Sequence, residues 1–128
     1  MEISFTDREL DVMAVLWRQG SGTVAEVRDA LDDSFAYTTV LTVLRTLEEK
    51  GFITHIAEGK AHRYLPAVTP DIAGQSALSR VLDKIFGGSA ESLLMQFVSD
   101  KTLDDAELRR LRKLLDDRLA KRKKKGEG

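Results

Sequence analysis

A chain of 128 residues with 20 Lys+Arg against 21 Asp+Glu has a net charge of −1, and lacks the strongly basic balance usual in nucleic-acid binders. It is long enough for one modest core plus an appendage that needs a partner. Without cysteine there is no disulfide framework and no thiolate metal site, and without an apolar run near ~20 residues or a basic-then-apolar N-terminus the chain reads as soluble and cytoplasmic, with no membrane insertion.

The first half reads as three helices and a hairpin. Thr6-Asp7-Arg8-Glu9 is a capping box, so a helix is expected from there, with Leu10, Met13, Leu16 and Trp17 as its buried stripe and Gly20-Ser21-Gly22 as its end. Thr23-Val24-Ala25-Glu26 repeats the box and opens a short helix whose Val24, Val27 and Leu31 face inward, broken by Asp32-Asp33-Ser34.

The third helix, Tyr37 onward, carries two incompatible faces. Val40, Val43, Leu44 and Leu47 share one side, and Thr38, Thr42, Arg45, Thr46 and Glu49 the other. Threonine is a poor helix former, so four threonines in this helix, three of them outside with an arginine, suit a major groove. There Arg pairs with guanine, and Thr offers a hydroxyl and a methyl. Gly51 closes the helix.

Phe52 to Ala57 and Ala61 to Leu65 are β-rich and flank Glu58-Gly59-Lys60, which reads as a hairpin, with Pro66 and Pro70 punctuating its end. Three helices and a hairpin make a winged helix, in which the second helix braces the third and the hairpin is the wing. The candidate DNA contacts are Tyr37, Thr38, Thr39, Thr42, Arg45, Thr46 and Lys50 on the recognition helix and Lys60, His62 and Arg63 on the wing. Arg45 and Thr42 are expected at bases, with Thr38, Thr39, Lys60 and Arg63 at the backbone. A hairpin that only closes the core is the alternative.

The second half reads as an association module. Residues 71 to 86 present Ile72, Leu78, Val81, Leu82, Ile85 and Phe86, too wide an apolar surface for one short helix to bury alone. Gly87-Gly88-Ser89 interrupts, Ala90 to Val98 resumes with Leu94 and Phe97, and Asp104 caps a last helix with Leu108, Leu111, Leu115 and Leu119 on one face. These residues are the candidate homodimer interface, since three short helices make a marginal core alone. Lys121 to Lys125 is a basic run expected to be disordered.

The expected architecture is mostly α with a small β hairpin: an N-terminal winged helix-turn-helix at 1–69, a C-terminal helical dimerisation domain at 70–120 and a basic tail at 121–128. Enzymatic readings are poor. His55 and His62 have no cysteine or carboxylate cluster to complete a metal set, the adjacent Asp pairs suit caps and solvated faces, and no phosphate loop or nucleophile motif occurs. No catalytic residue, metal site or cofactor is expected.

Phe35-Ala36-Tyr37-Thr38-Thr39-Val40-Leu41-Thr42-Val43-Leu44 with Leu47, Lys50 and Gly51, then Tyr64-Leu65-Pro66, Phe86-Gly87-Gly88-Ser89 and Ser92-Leu93-Leu94 to Phe97, resembles the penicillinase repressor family (BlaI/MecI type). The match runs in order from Glu9-Leu10-Asp11-Val12-Met13 and Leu16-Trp17 to the leucine-rich last helix. The resemblance implies a bacterial transcriptional repressor that holds a palindromic double-stranded DNA operator as a homodimer, until a membrane-bound zinc metalloprotease sensor triggers its cleavage. It puts the candidate cleavage site at Gln96-Phe97, where proteolysed members have Asn-Phe. Many members carry a basic residue at the position of Thr46, and the copper-responsive branch uses cysteine pairs this chain lacks. Two other readings are a winged-helix module that binds protein, and a repressor released by a small-molecule ligand.

Overall fold

The computed structural model describes residues 3–31 and 35–127, with side chains as far as Lys123. In chain order the elements are α1 (Asp7–Gln19), β1 (Gly22–Thr23), α2 (Val24–Ala30), α3 (Tyr37–Glu49), β2 (Ile53–Glu58), β3 (Ala61–Pro66), α4 (Pro70–Lys84), α5 (Ala90–Asp100) and α6 (Asp105–Glu127). They form two compact units, Met1–Val81 and Leu82–Gly128.

Thr6 starts α1 as expected: its hydroxyl accepts from the Glu9 amide, and the Glu9 carboxylate accepts from the Thr6 amide at 2.8 Å. The buried arc is rotated from the expected one. Leu10 is exposed, whereas Val12, Met13, Val15 and Leu16 are buried and Trp17 is half-buried, its indole N–H donating to Val68 O at 2.8 Å. The arc turns because Glu9 takes a buried position on that face, made tolerable by Lys50, whose ammonium donates to both carboxylate oxygens at 3.0 and 2.8 Å. Val27 from α2 and Val40, Leu44 and Leu47 from α3 fill the same core, so α3 buries the expected stripe. Gly51, at φ 84, ends α3 in a conformation that costs other residues strain.

At the second expected capping box only half forms. The Thr23 hydroxyl accepts from the Glu26 amide at 3.2 Å, while the Glu26 side chain turns to Arg63. Helix α2 ends at Ala30, with Leu31 as its C-cap, and the expected break at Asp32-Asp33-Ser34 lies outside the described residues.

The hairpin gains a third strand. β1 pairs antiparallel with β3, Gly22 opposite Tyr64 and Thr23 opposite Arg63, giving the order β1-β3-β2. A Cβ on Gly22 would lie 3.0 Å from Val27 Cγ2 and 3.6 Å from Leu16 Cδ2, so glycine lets this strand lie against the helices. Glu58 belongs to β2, leaving Gly59-Lys60 as the turn.

Helix α4 begins within the first unit. The Thr69 hydroxyl caps the Ile72 amide, Ala73 is buried in the core, and the Ser76 hydroxyl donates to Ile3 O at 3.0 Å. The two compact units divide inside α4, after Val81. In the second unit Ser89 caps α5, and the Asp104 carboxylate accepts from the Glu107 amide at 2.8 Å to start α6. The basic run expected as a separate disordered tail is a continuation of α6 to Glu127. Lys and Arg are good helix formers and suit the negative end of the helix dipole.

Burial pushes the Glu9 carboxyl up, but the Lys50 ammonium and the Thr6 amide and hydroxyl outweigh it and hold it below the usual carboxylate range. A depressed folded value means that the stability Glu9 contributes is complete above about pH 4.5, its ordinary value, and is lost as pH falls through the lower folded one. Lys50→Met is expected to cost ~1–2 kcal/mol at pH 7, a buried-pair loss discounted for the exposure of Lys50. Denaturant unfolding at pH 7 and pH 3 measures both; the penalty should shrink at the lower pH.

Candidate nucleic-acid interface

Helix α3 presents Tyr37, Thr38, Thr42, Arg45 and Glu49 to solvent, while Thr39 and Thr46 are half-buried. Two of the threonines are tied into the helix: Thr42 Oγ1 donates to Thr38 O at 2.9 Å and Thr46 Oγ1 to Thr42 O at 3.0 Å. Such back-bonding offsets the cost of threonine in a helix by satisfying the hydroxyl proton locally. It also limits the surface chemistry. With its proton committed, Thr42 can accept a hydrogen bond from an exocyclic amine and touch a thymine methyl, but cannot donate.

The side of α3 bearing Tyr37 and Leu41 faces the wing across a groove lined also by Val24, Lys60, His62 and Tyr64. Leu41, half-buried, lies beside this groove and is a position the two-faced reading of the helix passed over. Lys60 sits at the wing's turn with its side chain exposed. Among the described residues neither Arg45 nor Lys60 makes an ion pair. Burial, then the negative charge of Glu48, raises the Tyr64 hydroxyl above its ordinary value, so it remains a neutral donor.

Two expected contacts are committed elsewhere. Lys50 is spent on Glu9 beneath the helix, because a buried carboxylate needs a cation. Arg63 is enclosed by acceptors: Nε and Nη2 donate to Glu58 at 3.0 and 2.8 Å, Nη1 and Nη2 to Glu26 at 2.9 Å each, and Nη1 to Ser21 Oγ at 3.1 Å. These bonds use all five guanidinium N–H groups, leaving none for a phosphate. Bonding to Arg63 holds the Glu26 and Glu58 carboxyls below their ordinary values and raises Arg63 further above its own.

His62, a candidate wing contact, is exposed and stacks on His55, with ring centroids 4.2 Å apart and planes 11° from parallel. His55 Nδ1 in turn meets a Glu48 carboxylate oxygen on α3. Among the described residues no cluster of His, Cys, Asp and Glu could hold a metal ion. No helix among them is long and apolar enough to cross a membrane.

The candidate association face is largely open. Ile72, Leu78, Val81, Ile85, Leu94, Phe97, Leu108 and Leu115 are exposed, with Leu82, Phe86 and Leu111 half-buried. Met95, Val98 and Leu114 add exposed apolar surface that the sequence reading did not assign to the interface. Gln96 lies inside α5, where its amide donates to Asp100 at 2.6 Å, so the Gln96-Phe97 bond is held helical.

Comparison with known proteins places this geometry. A penicillinase repressor from Bacillus licheniformis is 26% identical over 120 residues, covering 92% of this chain and 94% of that one. A transcriptional regulator BlaI from Mycobacterium tuberculosis is 38% identical over 108 residues, covering 79% and 76%. The solved DNA binding domain of the repressor BlaI superposes with a TM-score of 0.50 at 30% identity, over 55% of this chain and 88% of that one. The penicillinase repressor profile itself matches residues 5–117, and the chain belongs to that family.

Proposed function

We propose that the protein is a DNA-binding transcriptional repressor that reads its operator with the outer face of α3 and grips the backbone with the wing turn. The observation that carries the reading is that Arg45 on the outer face of α3 and Lys60 at the wing turn are both exposed and, among the described residues, in no ion pair. Family membership supports it, as does the solved BlaI DNA binding domain. Arg45 and Thr42 meet bases; Thr38 and Lys60 meet the backbone. Binding of a labelled duplex from upstream of the protein's own gene, measured at two salt concentrations, tests it. Arg45→Ala should weaken binding by ~1–3 kcal/mol and relax one operator position, whereas Lys60→Ala should weaken all sequences alike and flatten the salt dependence. A winged-helix protein-interaction module would show neither effect.

The working form is a homodimer in the cytoplasm, joined through the apolar faces of α4, α5 and α6, and its operator is a pseudo-palindrome with half-sites about one turn, ~10 base pairs, apart or a multiple of it. Exposed Ile85, Leu115 and Leu119 support association, since leaving so many large apolar side chains in water is costly. Replacing Leu111 and Leu115 together with Asp should abolish the dimer in sedimentation and lower operator affinity by orders of magnitude through lost bivalency.

Release proceeds by cleavage at Gln96-Phe97, carried out by a protease that a membrane-bound metalloprotease sensor activates. The helical setting of that bond means that α5 must open locally before it can be cut. Intact-mass measurement of protein recovered from induced cells should find a chain ending at Gln96. An uncut chain released from DNA would favour a small-molecule ligand instead.

A further inference from the structure

We propose that Arg63 is a positioning residue: through Glu26, Glu58 and Ser21 it clamps the wing to the start of α2, and it touches no DNA itself. The inference rests on the DNA-binding reading above. It begins from how little else holds the outer part of the wing, where the other link to a helix among the described residues is that of His55 to Glu48 on α3. β1 pairs only with Arg63 and Tyr64, so beyond them the hairpin is two-stranded, and every β2 residue from Thr54 to Glu58 is exposed. Ile53 and Tyr64 anchor the base of the hairpin in the core, but beyond them it buries no apolar side chain that could fix its angle, and an unsupported two-stranded hairpin is marginal in water.

Arg63 supplies what packing does not. It stands on the middle strand, opposite Thr23 on one side and Ile56 on the other, and reaches Glu58 at the end of β2 and Glu26 in the first turn of α2. An isolated surface ion pair does little, but a planar fork bound to two carboxylates and a hydroxyl is a geometrically specified network. Its position decides where the turn carrying Lys60 sits relative to α3.

Charge gives the inference its sharpest consequence. Glu26 and Glu58 bring two negative charges to one positive beside the proposed phosphate path, which electrostatics alone would select against. Their neutral replacements should therefore strengthen DNA binding if Arg63 is merely a phosphate contact, and weaken it if the carboxylates hold the wing. Likewise Lys at position 63 preserves a phosphate contact but cannot reproduce the fork.

The test uses the full chain, the duplex from upstream of its own gene, and five variants: Arg63→Lys, the double Glu26→Gln/Glu58→Gln, Lys60→Ala, and each of the first two combined with Lys60→Ala. Arg63→Lys and the double variant should both lower affinity, by roughly tenfold, the cost of ordering the wing on binding. In either background Lys60→Ala should cost much less than in wild type, because its partner phosphate is already out of reach. Amide hydrogen exchange without DNA should show faster exchange in β2 and β3 with α1 unchanged. Tighter binding by the double variant, wild-type affinity for Arg63→Lys, full additivity with Lys60→Ala, or unchanged wing exchange would each overturn the clamp. Exchange rising equally in α1 would also overturn it, since Arg63 would then hold the fold rather than the wing. If wild type binds no DNA the proposed function falls, and the exchange measurement still decides the clamp.

Discussion

Glu9 is almost wholly removed from water, yet its carboxylate stays ionised because Thr6 N–H and the Lys50 ammonium both bond it. Thr6 and Glu9 belong to the start of α1, and Lys50 to the end of α3, so one buried charge joins the two helices across the core. Around it Val12, Met13, Leu44 and Leu47 pack without exposure, and close packing leaves a helix little freedom to rotate. The side of α3 turned to water is therefore set from underneath. If α3 rotated, Lys50 would leave Glu9 and the buried carboxylate would be unpaired.

The same logic accounts for a net charge that argued against nucleic acid. Among the described residues, three carboxylates of the first unit are answered by its own cations: Glu9 by Lys50, and Glu26 and Glu58 by Arg63. Arg45 and Lys60 stay outward on the helix and the wing turn, with Glu49 the one carboxylate on the outer face of α3. A mildly acidic body with a few well-placed cations keeps non-specific attraction low, leaving base contacts a larger share of the discrimination. Total charge was the wrong quantity to weigh, because the pairing of charges in three dimensions determines which of them a ligand meets.

Much of this was legible in the chain. The 3.6-residue spacing of Val40, Leu44 and Leu47 marked the buried face of α3, since one side of an amphipathic helix must be apolar whatever its partner. Thr6, Thr23 and Asp104 marked helix starts through local bonds that need no tertiary context. What escaped were contacts between residues distant in sequence. Glu9 and Lys50 are 41 positions apart and Arg63 and Glu26 are 37 apart, and nothing local distinguishes a cation held by a carboxylate from one free to meet phosphate. β1 was missed because two residues carry no alternation; its presence depends on Gly22 fitting against Val27 and Leu16. The exposure of Leu10 followed from the burial of Glu9, an exchange that hydropathy assigns the wrong way round.

The central claim is that the outer face of α3 and the wing turn form one DNA-binding surface. Its most direct test is a backbone amide shift titration of the full chain with the duplex from upstream of its own gene. The account predicts that shifts concentrate at Thr38, Thr42, Arg45 and the Gly59-Lys60 turn, with the buried Leu44 and Leu47 side of α3 and the surface of α1 around Leu10 little changed. Shifts centred instead on the exposed apolar faces of α5 and α6, with α3 and the wing silent, would contradict it.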